Sequence, residues 1–274
     1  GWRGRGAQAA AAGVLTGCAM ADTTLVDTLI CAAAQAWKDD GEVLATGIGL
    51  VPRLAASLAK LTVNPDLMMT DSEAWLVSEP VPVGPRGDYR IKREAHMGFA
   101  RIFDNVWGGK RHAMVGPTQI DRYGQANISM IGSDYRRPRT QMLGVRGYPG
   151  NSINHANSFF VPNHSTKVFV EGEVDMVASA GYNPARVERG WSIDEIDIRL
   201  IVTNLCVMDF GGPRHQVRLR SLHPGVGVAQ VQAATGFPLH VEGDIPETPA
   251  ATPEQRQVLQ RLDPHGLRAS VLGG

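Results

Sequence analysis

Residues 43–69 read VLATGIGLVPRLAASLAKLTVNPDLMM. Val43 to Ala45 form a short apolar run that predicts a strand. Gly47-Ile48-Gly49 punctuates it, and Pro52 suits the first turn of a helix. Leu54, Ala55, Leu58 and Leu61 then recur on one helical face. Leu67, Met68 and Met69 are a second short strand, ending at Thr70-Asp71-Ser72-Glu73. Parallel strands need a crossover, so this order predicts an α/β fold: an open, mainly parallel sheet with flanking helices.

Working outward, Leu25, Val26, Leu29, Ile30, Ala33, Ala34 and Trp37 predict a helix over 22–39. Short strands are expected at 113–115, 127–131, 141–145, 167–170, 174–178 and 198–202. Residues 78–90 read as a loop, and 132–166 as a long irregular stretch rich in Gly, Pro and Asn. A stretch of that kind inside a domain is usually functional or packed on a partner. Residues 226–236 suggest a short helix and 253–262 a last amphipathic one. No internal repeat or linker is visible, so residues 20–274 read as a single domain. Residues 1–19 read as a leader, or as a segment foreign to the domain, ahead of Met20. Within them Leu15-Thr16-Gly17-Cys18, with Arg3 and Arg5 upstream, is like a lipoprotein cleavage site.

The 274 residues carry 27 basic and 27 acidic side chains, so the formal net charge is zero. That argues against nucleic acid or an anionic membrane as partner, both of which favour a basic excess. Cys18, Cys31 and Cys206 are too few and scattered for a disulfide scaffold, and no metal-ligand spacing occurs. No apolar run is long enough to span a bilayer. A cytoplasmic protein without a bound metal is the expectation.

Four segments could carry chemistry. The turn at Gly47 and Gly49 would bring backbone N–H groups and a helix N-terminus to an anion, or would be a tight turn only. Asp71 and Glu73 sit at the carboxyl end of a predicted strand, as nucleophile, base or solvated turn. Gln119 to Asn127 is dense in polar groups. Gly144 to Asn151, followed by Asn154-His155, offers glycines for close approach and a planar Arg146 fork for a carboxylate or phosphate. Asn154 and His155 could polarise a carbonyl, or serve as scaffold.

These residues resemble the beta subunits of type I coenzyme A transferases. The likeness rests on Gly47-Ile48-Gly49-Leu50-Val51-Pro52, Gln119-Ile120-Asp121-Arg122-Tyr123-Gly124 with Asn127, and Lys167 to Glu171. It continues through Thr203 to Val207, His223-Pro224-Gly225-Val226 and Ala234-Thr235-Gly236-Phe237, all in the family's order. Gly144 to Asn157 and Asp209 to Pro213 are especially similar to the branch of actinobacterial cholesterol ring-degrading hydrolases. The resemblance implies an alpha subunit, a heterotetramer of two alpha and two beta chains, and coenzyme A only as part of the substrate, with no tightly bound cofactor. It implies cleavage of a carbon–carbon ring bond in a steroid-derived thioester, with Arg146, Glu73 and Asp71 as catalytic candidates. Gly47, Gly49, Gly147, Gly150, Asn151, Asn154 and His155 are the candidates for substrate binding. Transferases carry a Glu nucleophile followed by a small residue and Gly. Here Glu73 is followed by Ala74-Trp75, which counts against transfer, and Trp75 is expected to crowd the thioester.

Overall fold

A computed structural model describes residues 16–72 and 74–272, with side chains from residue 25 onward. Helix α1 spans Thr16–Ala34 and passes through a single 3₁₀ turn, Gln35–Trp37. It therefore begins before Met20, the boundary expected from sequence. Of the lipoprotein-like signature, Thr16 to Cys18 fall within α1, while Leu15 and the basic flank at Arg3 and Arg5 lie outside the described residues. Strand β1 (Leu44–Gly47) leads into α2 (Leu50–Thr62). The hairpin β2 (Trp75–Val77) and β3 (Arg93–His96) comes next, then α3 (Gly98–Trp107) and β4 (Arg111–Val115). Two-residue strands β5 (Gln119–Ile120), β6 (Ala126–Asn127), β7 (Met130–Ile131) and β8 (Thr140–Gln141) form two small hairpins. Then come α4 (Tyr148–Asn154), β9 (Ala156–Val161), α5 (Pro184–Val187), β10 (Ile198–Thr203), β11 (Cys206–Asp209), β12 (Arg218–Leu222), α6 (Val228–Ala233) and α7 (Pro253–Leu262).

The central sheet has the order β1-β4-β9-β10-β11-β12. Its first four strands are parallel, while β11 and β12 add antiparallel to one edge. Side chains alternate across it with the period of a strand. Met114, Phe160, Val202 and Val207 meet α1, α2 and α7 in one apolar cluster with Trp37, Leu54 and Leu259. Ala113, Val115, Phe159, Ile201 and Met208 face a second cluster with Ile120, Phe169 and Phe237. Helices cover the first face. The second is covered mostly by turns, short hairpins and the small helices α4 and α6.

Several expected elements differ. The strand at 67–69 is one parallel bridge, Leu44 to Met68, on the β1 edge, because the chain turns away at Thr70 to pair with Leu76. The strand expected at 141–145 stops at Gln141, where residues 142–147 leave the hairpin as a loop. At 167–170 a turn leaves a single bridge between Ile120 and Phe169, and at 174–178 no strand forms. The irregular region 132–166 contains α4 and the fully buried β9.

Candidate active site

The turn after β1 is built around absent side chains. A Cβ on Gly47 would lie 2.2 Å from the backbone carbonyl of Pro52, so α2 packs directly on the end of β1. Gly49 takes φ 109°, a left-handed value that suits glycine, and stands at the N-cap of α2 with no side-chain cap. Ile48 between them donates its amide to Met114 O at 2.9 Å and leaves its side chain half exposed. Pro52 contributes no N–H, so Leu50 and Val51 are the open donors of this helix end.

The side chain of Ile48 enters a cavity of about 470 Å³ at the carboxyl ends of β1 and β4. Val115, Ile128, Met142, Leu143 and Val145 give it an apolar lining, with Thr118, Arg146 and Asn151 as polar members. Open parallel sheets bind ligands at this edge. A second cavity of about 440 Å³ adjoins through Ile48, Gly116 and Thr118 and reaches Gly49 and the start of α2. Arg146 has φ 50°. That is a strained conformation for a residue with a side chain. Its guanidinium pairs with no carboxylate among the described residues. Gly147 caps α4, whose first amide, Tyr148 N, is bonded to Val145 O at 3.1 Å.

On the other side of Gly47 and Gly49 a cationic recess holds Arg53 and Arg86. Arg53 donates to Ser72 Oγ, Arg86 donates to Asp71 O at 2.9 Å, and burial lowers the Arg53 pKa. Ser72 and Ala74 both adopt left-handed φ values, 76° and 72°, on either side of position 73. Glu73 itself lies outside the described residues. Asp71 is fully buried. Its carboxylate accepts from Arg93 Nε at 2.9 Å and from the Trp75 amide at 3.2 Å, and so anchors this turn. The Trp75 ring packs on His96 and under Arg93, and lines none of these three cavities.

No protein-family model matches the chain. The cholesterol ring-cleaving hydrolase IpdB subunit of Mycobacterium tuberculosis is 39% identical over 248 residues, covering 90% of this chain and 97% of that protein. The chain belongs to the IpdB family. A crystal structure of Rhodococcus jostii IpdAB superposes with a TM-score of 0.79 at 38% identity, over 89% of this chain and 96% of that one. Glutaconate coenzyme A-transferase from Acidaminococcus fermentans, at 24% identity, shares the fold with a TM-score of 0.74 over 90% of this chain and 97% of its own. The fold is therefore that of the coenzyme A transferases, as the resemblance implied.

In this IpdB-family chain, Gly150, Asn154 and His155 stand apart from the cavity, and Gly47, Gly49 and Asp71 do not line it either. Gly150 lines a separate space against Trp191 and Ile196 on the other side of α4. Asn154 and His155 lie at the far end of α4, just before β9, in a polar recess with Arg111 and Arg199. Helix α4 runs from Tyr148 to Asn154 and separates them from Arg146. A helix of that length spans about 10 Å. His155 is buried, bonds Ala156 O through Nδ1, and is pushed down to about 4 by burial.

The polar side chains of the Gln119–Asn127 segment bond within the segment and to Glu173 and Asp175. Asp121 Oδ1 accepts from the amides of Tyr123 and Gln125, and burial pushes its carboxyl up to about 7. Asn127 donates to Gln119 Oε1 at 2.7 Å, and Gly124 leaves room for the Phe210 ring. Sequence reading did not find the buried chain Asp40–His112–Ser158, with contacts of 2.7 and 2.9 Å. Burial opposes the charge on Asp40, but His112 and Arg199 outweigh it and hold the carboxyl below its usual range. The three residues are far apart in sequence and follow no recognisable order. His112 and Ser158 are inaccessible, so the chain ties β4 and β9 to the end of the first helical region.

Among the described residues no group of three His, Cys, Asp or Glu side chains could hold a metal ion, and no helix is long and apolar enough to cross a membrane. Cys31 and Cys206 are free buried thiols that burial pushes up to about 12.

Proposed function

We propose that this chain is the beta subunit of a heteromeric cytoplasmic hydrolase that opens a carbon ring of a steroid-derived coenzyme A thioester. The observation that carries the reading is the 39% identity to a cholesterol ring-cleaving hydrolase IpdB subunit across nearly the whole of both chains. The cavity supports it. Its wall of Ile48, Val115, Ile128, Met142 and Leu143 suits a fused hydrocarbon ring, and Arg146 is the charged side chain in its lining.

In the proposed reaction a carboxylate takes a proton from water, and the water oxygen bonds to a ring ketone beta to the thioester carbonyl. The ring carbon–carbon bond breaks, the ketone carbon becomes a carboxylate, and the bonding pair moves into the thioester as an enolate. Protonation of the alpha carbon completes the addition of one water. Arg146 and the Gly147 backbone line the cavity; in this reading they bind the enolate or a substrate carboxylate, and a preset cation costs no reorganisation as charge develops. Asn151 borders the same space. Gly47 and Gly49 let α2 approach the thioester end. The general base is supplied by the alpha subunit or by the turn carrying Glu73. Coenzyme A enters only as part of the substrate.

A second reading, a true coenzyme A transferase, is favoured by one feature: position 73 is flanked by two left-handed residues, a strain that clusters at reactive positions. Incubating the assembled two-subunit enzyme with steroid-ring thioesters and weighing the product separates the two. Hydrolysis adds one water and keeps coenzyme A attached. Transfer releases the acid and moves coenzyme A to an acceptor.

A further inference from the structure

We infer that the β7–β8 hairpin is an anion clamp for the phosphate end of the coenzyme A thioester, with Arg136, Arg137 and Arg139 as its donors. This rests on the substrate class proposed above. The hairpin carries both ends of an amphipathic ligand site. Pairing of Met130 with Gln141 and Ile131 with Thr140 fixes its register. Just outside these pairs, Ile128, Met142 and Leu143 line the apolar cavity. At the tip, Arg136, Arg137 and Arg139 are all exposed or partly exposed. Arg139 stands about 10 Å of extended strand from Met142, so ring-binding and anion-binding groups share one short element.

The three guanidiniums are free of acidic partners. None pairs with a carboxylate among the described residues, whereas Arg199, Arg218 and Arg268 each pair with one or more. Asp134, the nearest acid in sequence, is spent on the tip itself: Oδ1 accepts the Arg136 amide at 2.9 Å, and its carbonyl accepts the Arg137 amide. The turn is thus preorganised with its charges outward. Tyr135 stands 66% exposed, with the Arg136 guanidinium 5.5 Å from its ring centre. The other face of that ring can stack on a purine. In a chain of zero net charge, three arginines without acidic partners within four residues are a local solution for a strongly anionic ligand.

The test replaces all three together, R136Q, R137Q and R139Q, in the assembled two-subunit enzyme. Turnover is compared on a steroid-ring coenzyme A thioester and on the matching pantetheine thioester, which has no adenosine phosphates. The clamp predicts a KM at least about tenfold higher for the coenzyme A substrate, the loss of one or two charge-assisted contacts, with kcat unchanged. It also predicts a weaker salt dependence and no change with the pantetheine thioester. The triple Lys variant should keep most of the affinity. Titration of the complex with adenosine 3′,5′-bisphosphate should weaken in the Gln variant by a similar factor. Equal effects on both thioesters, no effect on either, or loss of the alpha subunit from the complex would overturn the clamp, the last marking the hairpin as a protein interface. If the wild-type complex turns over neither thioester yet binds the bisphosphate through these arginines, the ring-hydrolysis reading fails and the clamp stands.

Discussion

Arg146 has a left-handed backbone, pairs with no carboxylate among the described residues and lines an apolar cavity. Arg146→Ala should lower turnover of the assembled enzyme by about ten- to a hundredfold, the worth of a charge-assisted hydrogen bond, without loss of assembly. Unchanged turnover would make this chain a structural partner. At position 73 the hydrolase reading predicts no covalent intermediate. Borohydride added during turnover should leave Glu73 unmodified, and a stable mass change there would establish transfer. The buried titrating groups set the pH response. Asp121 is raised to about 7, so its stabilising contribution is full below the ordinary carboxylate range and fades as pH rises through 7. His155 and His164 are lowered to about 4, so their contribution is full above the ordinary imidazole range and fades as pH falls through 4. The two windows overlap with opposite sign: below the ordinary imidazole range the two histidines outweigh Asp121 and melting temperature falls as pH falls, while Asp121→Asn should remove the opposing loss as pH rises toward 7. An unaltered profile in that variant would contradict the assignment. At this scale the sequence was half legible. Arg146, Gly147 and Asn151 do meet Ile48 in one cavity, because a glycine-rich loop before a short helix has few other ways to fold. Asn154 and His155 do not, because α4 turns them to the opposite end of the sheet, and nothing in a seven-residue apolar-polar mixture announces a helix.

The β1–α2 turn is the element that positions the site. Gly47→Ala puts a methyl group into the Pro52 backbone. Overpacking against backbone costs about 3 kcal/mol, so the variant should melt well below the wild type or fail to fold. A melting curve close to wild type would refute the packing argument. Thr252 makes a full capping box with Gln255 at the start of α7. Thr252→Ala should cost about 1 kcal/mol in denaturant unfolding, with activity kept. Both elements were readable, since strand–glycine–helix and Thr-Pro before an amphipathic stretch are local signals. The strands expected at 167–170 and 174–178 failed because short apolar runs pack equally well as buried turns when a neighbouring hairpin supplies the bridge. Strand β9 was hidden for the same reason: all six residues are buried, so no alternation marks it.

On the scale of the whole molecule, the sheet separates two apolar clusters and leaves the cavity at the ends of its parallel strands. The zero net charge read from composition conceals a local basic cluster, with Arg136, Arg137 and Arg139 within four residues of the β7–β8 hairpin and no ion pair to a carboxylate among the described residues. Gly49 and Pro52 line one of the two adjoining cavities and Gly147 the other. Order of motifs along the chain was enough to indicate the transferase fold. The chemistry was less legible, because the turn around position 73 depends on left-handed backbone that residue types alone do not dictate. Addition of water across a ring carbon–carbon bond leaves solvent oxygen in the product. It is tested most directly by running the assembled enzyme on a steroid-ring coenzyme A thioester in heavy-oxygen water. Ring hydrolysis predicts one labelled oxygen in a new carboxylate of a product that still carries coenzyme A. Label in an acid freed from coenzyme A, or coenzyme A moved to an acceptor with no label gained, would contradict it.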